Sequence, residues 1–466
     1  MTMQKLAVTM FLSVCAMAAV AQSDGYRDRR VERRAADTVI WGMPAVGAER
    51  LRQAVLHSTS ARENEIVYWS RPVSWKSQML APDPDALPFM VFFNTRTTGP
   101  LVIDIPSADG GTLAGSFVTT WQTPLDDTGP RGADGGRGGR YLIVPPDYAG
   151  TPPQGFIVLR ADTYGGVASL QSKLASRSDE DIARAVAYGK RIKVYPLSLA
   201  QSPPPTRFTD VQDVLLEATI PYDASFFKLL NDVVQKEPWI ERDRVMIDHL
   251  KDLGIEKSQP YRPDARLDRI LSTAIVEAHA ELASRYDAGF DRVAPQHRWF
   301  SAAIPEVVRA MSTGYARADE YPVDARGTMA MLGVAASKRV DAAPLYLVAN
   351  KDKDGRDMQG NAVYRLQIPA RVPASRGWSV TAYDRDTHAL IRQMSRAGMA
   401  STTPDLETNA DGAVEIYFGP HAPHGKESNW VPTDPSRNFE LVFRLHGPDY
   451  ARFGKQWRLP DVEKLE

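Results

Sequence analysis

Three polar or aromatic residues stand out in the first third of the chain, where short apolar segments alternate with turns. They are Asp104, Trp121 and Arg140. A carboxylate, an indole ring and a guanidinium are groups that fix the orientation of a polar ligand in a largely apolar pocket. We therefore predict Asp104, Trp121 and Arg140 as ligand-binding residues, and the sequence assigns no catalytic residue.

A second group lies near the C-terminal end, in the turn GKESNWVP. Lys426 offers three donors, Asn429 offers both donors and acceptors, and Trp430 carries a large ring with one N–H. Glycine and proline bracket the turn, which is typical of a fixed loop at the end of a β-sandwich. We predict Lys426, Asn429 and Trp430 as ligand-binding residues. The alternative is that Trp430 covers the edge of the core while Asn429 bonds the turn backbone.

A glycine-rich loop, Gly129–Arg140, separates two of the apolar segments. Backbone N–H groups that converge in such a loop can hold an anion, and Arg131 and Arg137 would add positive charge. The loop leads into a strand and lacks the Gly-Lys-Ser/Thr ending of a phosphate-binding P-loop. A surface connection between strands is the favoured interpretation, with anion binding as the alternative.

His421, His424 and Glu427 are metal-capable side chains within seven residues. Imidazole and carboxylate groups suit zinc or another divalent ion. The prolines and glycines among them exclude a regular helix, so the three could meet only in a sharply folded loop. We favour an exposed turn without a metal, and the metal site is the weaker hypothesis.

Several enzyme signatures are missing. The chain has no Gly-x-Ser-x-Gly, no His-Glu-x-x-His, and no Gly-x-Gly-x-x-Gly between a strand and a helix. These absences argue against an α/β-hydrolase and a dinucleotide-binding fold. No nucleotide cofactor is indicated, and the cofactor stays unknown.

The overall charge is balanced, with 56 Lys and Arg against 57 Asp and Glu in 466 residues. A net charge of -1 gives no reason to expect nucleic acid as a partner. A small-molecule or polymeric ligand and a homo-oligomer stay open. The length allows two or three domains.

The first residues have the pattern of an export signal. Lys5 precedes an apolar segment, Leu6–Ala18, which is too short to span a bilayer, and Ala19–Ala21 forms a small-x-small cleavage site. We predict removal of residues 1–21, a periplasmic or secreted location, and no transmembrane segment in the mature chain. The alternative is a lipoprotein signal ending at Cys15, which Val14 disfavours. Cys15 is the single cysteine, so the mature chain would be free of disulfides.

Periodicity divides the rest of the chain into three parts. An interrupted helix over 31–57 precedes short strands that include Leu101–Ile105, with a helix capped by Ser178. The proline-rich linker at 201–205 opens a helical region, in which Asp264 caps the clearest apolar stripe. Strands resume from Leu345. We predict a signal peptide over 1–21, an N-terminal helix plus β domain over 22–200, a helical region over 201–344 and a C-terminal β-sandwich over 345–466.

Long phrases of the sequence resemble two uncharacterised bacterial domains. YWSRPVSWKSQMLAPDPDALPF, GGRYLIVPPDY and KRIKVYPLS resemble the domain of unknown function numbered twelve fifty-four. GNAVYRLQIPARVPASRGWSVTAYD, NADGAVEIYF, GKESNWVP and FELVFRLHGP resemble its usual companion, the domain numbered twelve fourteen. The resemblance implies an α+β protein with an N-terminal immunoglobulin-like β domain, a helical middle region and a C-terminal jelly-roll-like β-sandwich. It transfers no catalytic residue.

Two functional hypotheses follow. The first is an exported hydrolase-like enzyme, with its site in a cleft between the β domains. The second is a non-catalytic envelope protein that binds a ligand or self-associates. The enzyme is favoured if Lys426, Asn429 and Trp430 meet Arg140 or Asp104 in one concave pocket, and the non-catalytic protein is favoured if they point apart into solvent or core.

Overall fold

The structure is a computed structural model. It describes residues 3–292, 297–334, 337–339, 345–453 and 456–465, with side chains from residue 25 onward except those of 291–292. In this part of the chain no helix combines the length and the apolar character that a membrane crossing requires. The side chains of the proposed leader lie outside the described residues, so its cleavage stays a prediction.

The helices of the described chain are α1 (Met3–Ser58), α2 (Asp179–Gly189), α3 (Ser225–Lys236), α4 (Met246–Asp252), α5 (Ala265–Ala288), α6 (Pro305–Ser312) and α7 (Val323–Met331). The strands of the first half are β1 (Ile66–Tyr68), β2 (Ser77–Gln78), β3 (Ala86–Asn94), β4 (Leu101–Ile105), β5 (Leu113–Thr119), β6 (Pro124–Thr128), β7 (Gly139–Val144), β8 (Ile157–Arg160), β9 (Gly165–Lys173), β10 (Lys193–Pro196), β11 (Phe208–Asp210) and β12 (Leu216–Glu217). Those of the second half are β13 (Asp291–Arg292), β14 (Phe300–Ser301), β15 (Leu345–Ala349), β16 (Met358–Gln359), β17 (Tyr364–Ile368), β18 (Trp378–Asp384), β19 (Gly398–Ala400), β20 (Val414–Gly419), β21 (Trp430–Pro432), β22 (Asn438–Leu445) and β23 (Glu463–Lys464).

The N-terminal strands form two main sheets, with the orders β11-β1-β3-β9-β5-β6 and β10-β4-β7-β8. Phe89 of β3 shares one buried cluster with Ile103 of β4 and Tyr141 of β7, so the two sheets pack face to face. Met90 and Phe92 of β3 point the other way, into a separate core. Because successive side chains alternate between faces, β3 is buried along almost its whole length.

That separate core is helical and joins both halves of the chain. It contains Trp41 of α1, Phe226 of α3 and Ile275 of α5, together with Val67 of β1 and Val442 of β22. Helix α1 therefore packs with helices that follow it by more than 150 residues. The helices fill the space between the outer faces of an N-terminal and a C-terminal sheet.

The C-terminal strands repeat the two-sheet arrangement. One sheet has the order β13-β14-β15-β22-β18-β19, with β16 also paired to β22, and the other has the order β21-β20-β17-β23. Leu366 and Ile416 from the second sheet share a buried cluster with Val380 and Phe443 from the first. The prediction of a mixed α+β protein with β-rich regions on either side of helices is confirmed.

Local predictions succeeded where the signal was strong. The strand over Leu101–Ile105 is confirmed. Ser178 accepts a hydrogen bond from the N–H of Asp181, and Asp264 accepts one from Leu267, so both predicted caps are confirmed. A division of the first helix into two at Gly42 and Pro44 is wrong, because α1 runs unbroken through Pro44, and a kink there stays a prediction.

Nothing in the fold fixes the predicted domain boundaries, and these stay a prediction. Strand β11 follows the proline-rich linker but pairs in parallel with β1. The N-terminal sheet thus includes residues from beyond the linker.

Candidate ligand-binding cleft

A cleft of about 560 Å³ opens where the ends of the two sandwiches meet. Its walls come from the loop between β4 and β5, the end of β9, the start of α2, the turn before β18, the end of β19 and the residue after β22. The lining residues are Asp85, Gly110, Gly111, Thr112, Lys173, Leu174, Ala175, Asp181, Arg184, Ala185, Arg376, Trp378, Ala400, Ser401, Thr402 and His446.

Lys173 supplies the first positive charge of the cleft. It is the last residue of β9 and is half-buried, and its Nζ donates a 2.6 Å hydrogen bond to Oε1 of Gln171. Burial lowers the pKa of Lys173, the positive charge of Arg376 also lowers it, and Asp83 opposes the shift. Lys173 is therefore easier to deprotonate than a lysine in water.

Arg376 and His446 are held side by side on the opposite wall. The N–H of Arg376 donates to the carbonyl of His446 at 2.9 Å, and the N–H of His446 donates to the carbonyl of Gly377 at 3.0 Å. Gly447 follows with a φ of +67°, and a Cβ there would lie 3.2 Å from Nε of Arg376. A side chain at Gly447 would thus strain the backbone and crowd the arginine.

His446 is neutral at neutral pH. Burial lowers its pKa to about 4, although the carboxylate of Asp83 acts in the opposite direction. Its Nε2 lies 3.4 Å from Oγ of the buried Ser379. A neutral imidazole on a cleft wall can accept a proton, but a pKa of about 4 makes it a weak base at neutral pH, because an effective general base has a pKa near the operating pH.

Asp83 lies buried beneath these groups. Burial alone would raise its pKa, but the charges of Arg444 and Lys173 outweigh that effect and hold the pKa below its usual range. Its Oδ1 accepts the N–H of Asp85 at 3.0 Å, while Oδ2 has no hydrogen-bond partner among the described residues. Asp83 therefore stays ionised and helps to hold the positive charges in place.

The two carboxylates that line the cleft are already engaged. Asp85 forms an ion pair with Arg177. Asp181 accepts the N–H groups of Ala175 and Ser176, both at 2.7 Å, and pairs with Arg184 at 2.9 Å.

Lys173 and Arg376, unlike Asp85 and Asp181, have no ion-pair partner among the residues that the structure describes. Burial lowers the pKa of Arg376, and so does the nearby positive charge of Arg131. Apart from the buried Asp83, which acts on Lys173 without forming an ion pair, the cleft therefore presents positive charge that a bound anion would neutralise.

A second cavity, of about 250 Å³, lies between α1, β3, the start of β9 and the end of α3. Several of its charged groups form ion pairs with each other, although in the described chain Arg96 and Glu237 do not. Glu49 pairs with Arg52 at 2.7 Å and with Lys236 at 2.8 Å, and these hydrogen-bonded charges outweigh burial and lower its pKa to about 2. The carboxylate of Glu237 accepts the backbone N–H of Tyr164 at 2.7 Å. This cavity offers a ligand less unmatched charge than the cleft.

The residues predicted near the N-terminal end are spread out. Asp104 and Arg140 face each other on β4 and β7, away from the cleft lining. The guanidinium of Arg140 lies 4.6 Å above the ring of Phe156. Trp121 is buried in the helical core, 4.4 Å from Trp41 between ring centroids.

The residues predicted in the C-terminal turn make their contacts within the C-terminal pair of sheets. Asn429 is buried, and its side chain accepts from the N–H of Glu407 at 2.9 Å and donates to the carbonyls of Glu407 and Glu415. Trp430 donates to the carbonyl of Gly419 at 2.9 Å, and Lys426 lies 5.8 Å from the ring centroid of Tyr417. No hydrogen bond or ion pair between described residues joins this turn to Asp104 or Arg140, and none of these five residues lines the cleft. The convergence that would have favoured an enzyme at these residues is therefore not found.

In the glycine-rich loop, a carboxylate of the loop itself occupies backbone N–H groups. The carboxylate of Asp134, which is buried, accepts the N–H groups of Gly129 at 2.8 Å and Gly138 at 3.2 Å. These are the donors that an external anion would need. The loop contributes to the cleft through the charge of Arg131 rather than through its backbone.

His421, His424 and Glu427 are all exposed. In the described ranges of the chain, no three His, Cys, Asp or Glu side chains are grouped so that they could hold a metal ion. The three residues of the turn therefore do not form such a group.

Sequence reasoning missed the cleft residues Lys173, Arg376 and His446. Lys173 ends a glycine- and serine-rich segment with little apolar alternation, so β9 itself was missed. Arg376 and His446 do lie within two of the phrases that carry the family resemblance, SRGWSVTAYD and FELVFRLHGP. An isolated arginine or histidine in such a phrase gives no indication of its role.

Two family models match the chain. Residues 63–196 match "Protein of unknown function (DUF1254)", and residues 343–450 match "Protein of unknown function (DUF1214)". Among solved structures, the VPA0106 protein from Vibrio parahaemolyticus matches with a TM-score of 0.58 at 18% identity, over 94% of this chain and 100% of that chain. That similarity shows a shared fold.

A putative uncharacterised protein from Burkholderia cenocepacia matches with a TM-score of 0.41 at 11% identity, over 98% of this chain and 97% of that chain. No curated protein matches at a significant level.

Proposed function

We propose that this protein, which belongs to the proteins that combine the DUF1254 and DUF1214 domains, binds a small anionic molecule in the cleft between its β-rich regions. One observation carries the proposal: Lys173 and Arg376 line the cleft without a carboxylate partner among the described residues. A carboxylate or phosphate group would supply negative charge that the lining of the cleft lacks. The cleft volume is in the range of small-molecule sites.

We further propose that the bound molecule is a substrate and that the protein is a hydrolase-like enzyme. The support is the position of His446 in the cleft lining, where its neutral imidazole can accept a proton from a water molecule, although its pKa of about 4 makes it a weak base. Its neighbour Lys173 would stabilise negative charge that develops on the substrate. The predicted export signal supports a periplasmic or secreted location for this activity.

The alternative is a non-catalytic protein that binds the same anion or self-associates. The hydrogen bond between His446 and the buried Ser379 supports it, because a histidine so placed can serve packing alone. Under this alternative the anion binds but is released unchanged.

The experiment screens the exported protein for ligands and turnover in sequence. Small carboxylates, inorganic phosphate and matched neutral alcohols are tested for a rise in melting temperature. Esters, amides and phosphate monoesters that resemble the stabilising anions are then tested for hydrolysis. Stabilisation by anions alone, with hydrolysis that is lost in His446→Gln, supports the enzyme. Stabilisation without hydrolysis favours the binding protein, and equal effects of anions and alcohols would refute the proposal.

The resemblance also supports finer fold assignments. We infer that the N-terminal pair of sheets is immunoglobulin-like and that the C-terminal pair is jelly-roll-like. The face-to-face packing of two sheets in each region is consistent with both types.

A further inference from the structure

Lys173 has features that a role in charge pairing alone does not require. Its side chain lines the cleft and is only half-buried, so a ligand can reach it. Its hydrogen bond goes to Gln171, a neutral amide. None of the described carboxylates forms an ion pair with Lys173, although the buried Asp83 acts on it with opposite charge.

The neighbours of Lys173 favour the free amine. Arg376 and Arg444 both act on it with like charge, and burial removes water that would stabilise the ammonium form. Asp83 and Asp85 act in the opposite direction without reversing the lowered pKa. A cationic neighbour and a partly desolvated site are the two features that convert a lysine into a nucleophile.

We propose that Lys173 forms an imine with an aldehyde or ketone whose negatively charged group is bound by Arg376. The inference rests on the proposed anion site, and it names the substrate class and adds a covalent step. In this step Arg376, which keeps its charge, holds the anion alone, and Lys173 reacts as the neutral amine. Arg376 is exposed at the rim of the cleft, while Lys173 lies at the end of the strand that forms the opposite wall. A molecule with an anion at one end and a carbonyl at the other would meet both.

The step balances without an oxidant or a reductant. The lone pair of the neutral Nζ adds to the carbonyl carbon, and the carbonyl π electrons move to oxygen. His446 accepts one proton from the nitrogen of this adduct and passes it to that oxygen, which becomes a hydroxyl group. His446 then passes the second nitrogen proton to the departing hydroxyl group. The carbon–oxygen bond breaks, water leaves and a carbon–nitrogen double bond remains.

Reductive trapping tests the inference on the full chain. The protein is incubated with succinic semialdehyde, which carries an aldehyde and a carboxylate, in the presence of sodium cyanoborohydride. Peptide mass mapping should find one dominant adduct, on Lys173. The adduct should be absent in Lys173→Arg, which keeps the charge but cannot form an imine, and unchanged in Lys228→Arg, which alters an exposed lysine on α3.

Two further arms test the role of the anion. Butanal, which lacks the carboxylate, should label Lys173 about tenfold more slowly than succinic semialdehyde does, because the loss of one charge-assisted hydrogen bond weakens binding by about that factor. Arg376→Gln should lower the labelling by succinic semialdehyde to a similar extent for the same reason. Melting temperatures of the variants confirm folding. Labelling that is the same in Lys173→Arg as in the unaltered protein would overturn the inference.

Calorimetric titration with succinate, which has no aldehyde, separates this inference from the anion site. Succinate binding that depends on Arg376, without an adduct on Lys173, would overturn the imine and leave the anion site standing. Loss of both would overturn both.

Discussion

At the scale of single residues, His446 shows how burial sets a protonation state. Its pKa in the folded chain, about 4, lies below the ordinary value of 6.5. Between these values the unfolded chain binds a proton that the folded chain does not. The stability that comes from a neutral His446 is therefore fully present above about pH 6.5 and is lost as the pH falls towards 4.

The substitution His446→Gln tests this dependence, because glutamine does not titrate. Urea unfolding at pH 7 and near pH 4.5 should show a larger loss of unfolding free energy in the unaltered protein than in the variant. The two losses should differ by about 3 kcal/mol at most, because each unit of pKa shift corresponds to about 1.4 kcal/mol. An equal pH dependence in both proteins would contradict the assigned environment of His446.

Asn429 allows a second test at this scale. Its amide makes three hydrogen bonds to the backbone of Glu407 and Glu415 and is buried. Removing one partner of a buried hydrogen bond costs about 1–3 kcal/mol. Asn429→Ala should lower the unfolding free energy by at least that amount, whereas Asn409→Ala, at an exposed position, should have little effect.

Urea unfolding of both variants provides the measurement. If Asn429→Ala keeps its stability and loses anion binding, the ligand-binding role predicted from the sequence is favoured. The residue type suits both roles. Spacing along the chain does not show which partners the amide meets, so the sequence left the choice open.

At the scale of elements, capping was readable from the sequence because it is local. Ser178 and Asp181 are three residues apart, and the Ser178 side chain accepts the N–H of Asp181 at 3.2 Å. Helix α2 carries the cleft residues Asp181 and Arg184. The cap therefore helps to fix one wall of the cleft.

Ser178→Ala should cost about 1 kcal/mol of unfolding free energy, because it removes the acceptor at the start of the helix. Ser178→Asp should retain most of the stability, since its carboxylate can accept the same hydrogen bond and favours a helix N-terminus. Thermal unfolding of both variants measures the difference. Equal loss in the two variants would show that the cap contributes nothing.

Strand β9 was missed for a physical reason. Its sequence, GGVASLQSK, contains few of the β-branched and aromatic residues that indicate a strand. It nevertheless lies between β3 and β5 in the middle of a sheet. At Gly166 a Cβ would lie 2.2 Å from the ring of Phe93, so the neighbouring side chain fills the space that a side chain on β9 would occupy. Tertiary packing, rather than local propensity, places this strand.

At the scale of the whole molecule, the order of β, helical and β regions was predictable, but their packing was not. The indole of Trp41 in α1 donates a 2.8 Å hydrogen bond to Asp243, which also accepts the hydroxyl of Tyr321 at 2.5 Å. These residues are separated by about 200 and 80 positions. No periodicity within a helix indicates such partners.

The cleft is also formed by residues that are far apart in the sequence. Lys173 ends one strand, Arg376 precedes another and His446 follows a third, so they meet only when the two sandwiches are placed together. The sequence predicted a site between the β domains but selected residues that lie elsewhere. Uncompensated charge became visible only when the ion pairs of Asp85 and Asp181 were known.

The most direct test of the central claim is calorimetric titration of the unaltered protein and two variants with succinate and with inorganic phosphate. Arg376→Gln removes the cation at the rim of the cleft, and Arg371→Gln removes an exposed arginine outside the cleft lining. We predict that Arg376→Gln weakens the binding of at least one anion by about tenfold or more, while Arg371→Gln does not, with both variants folded. Equal affinity in all three proteins, or no binding of either anion to the unaltered protein, would contradict an anion site in this cleft.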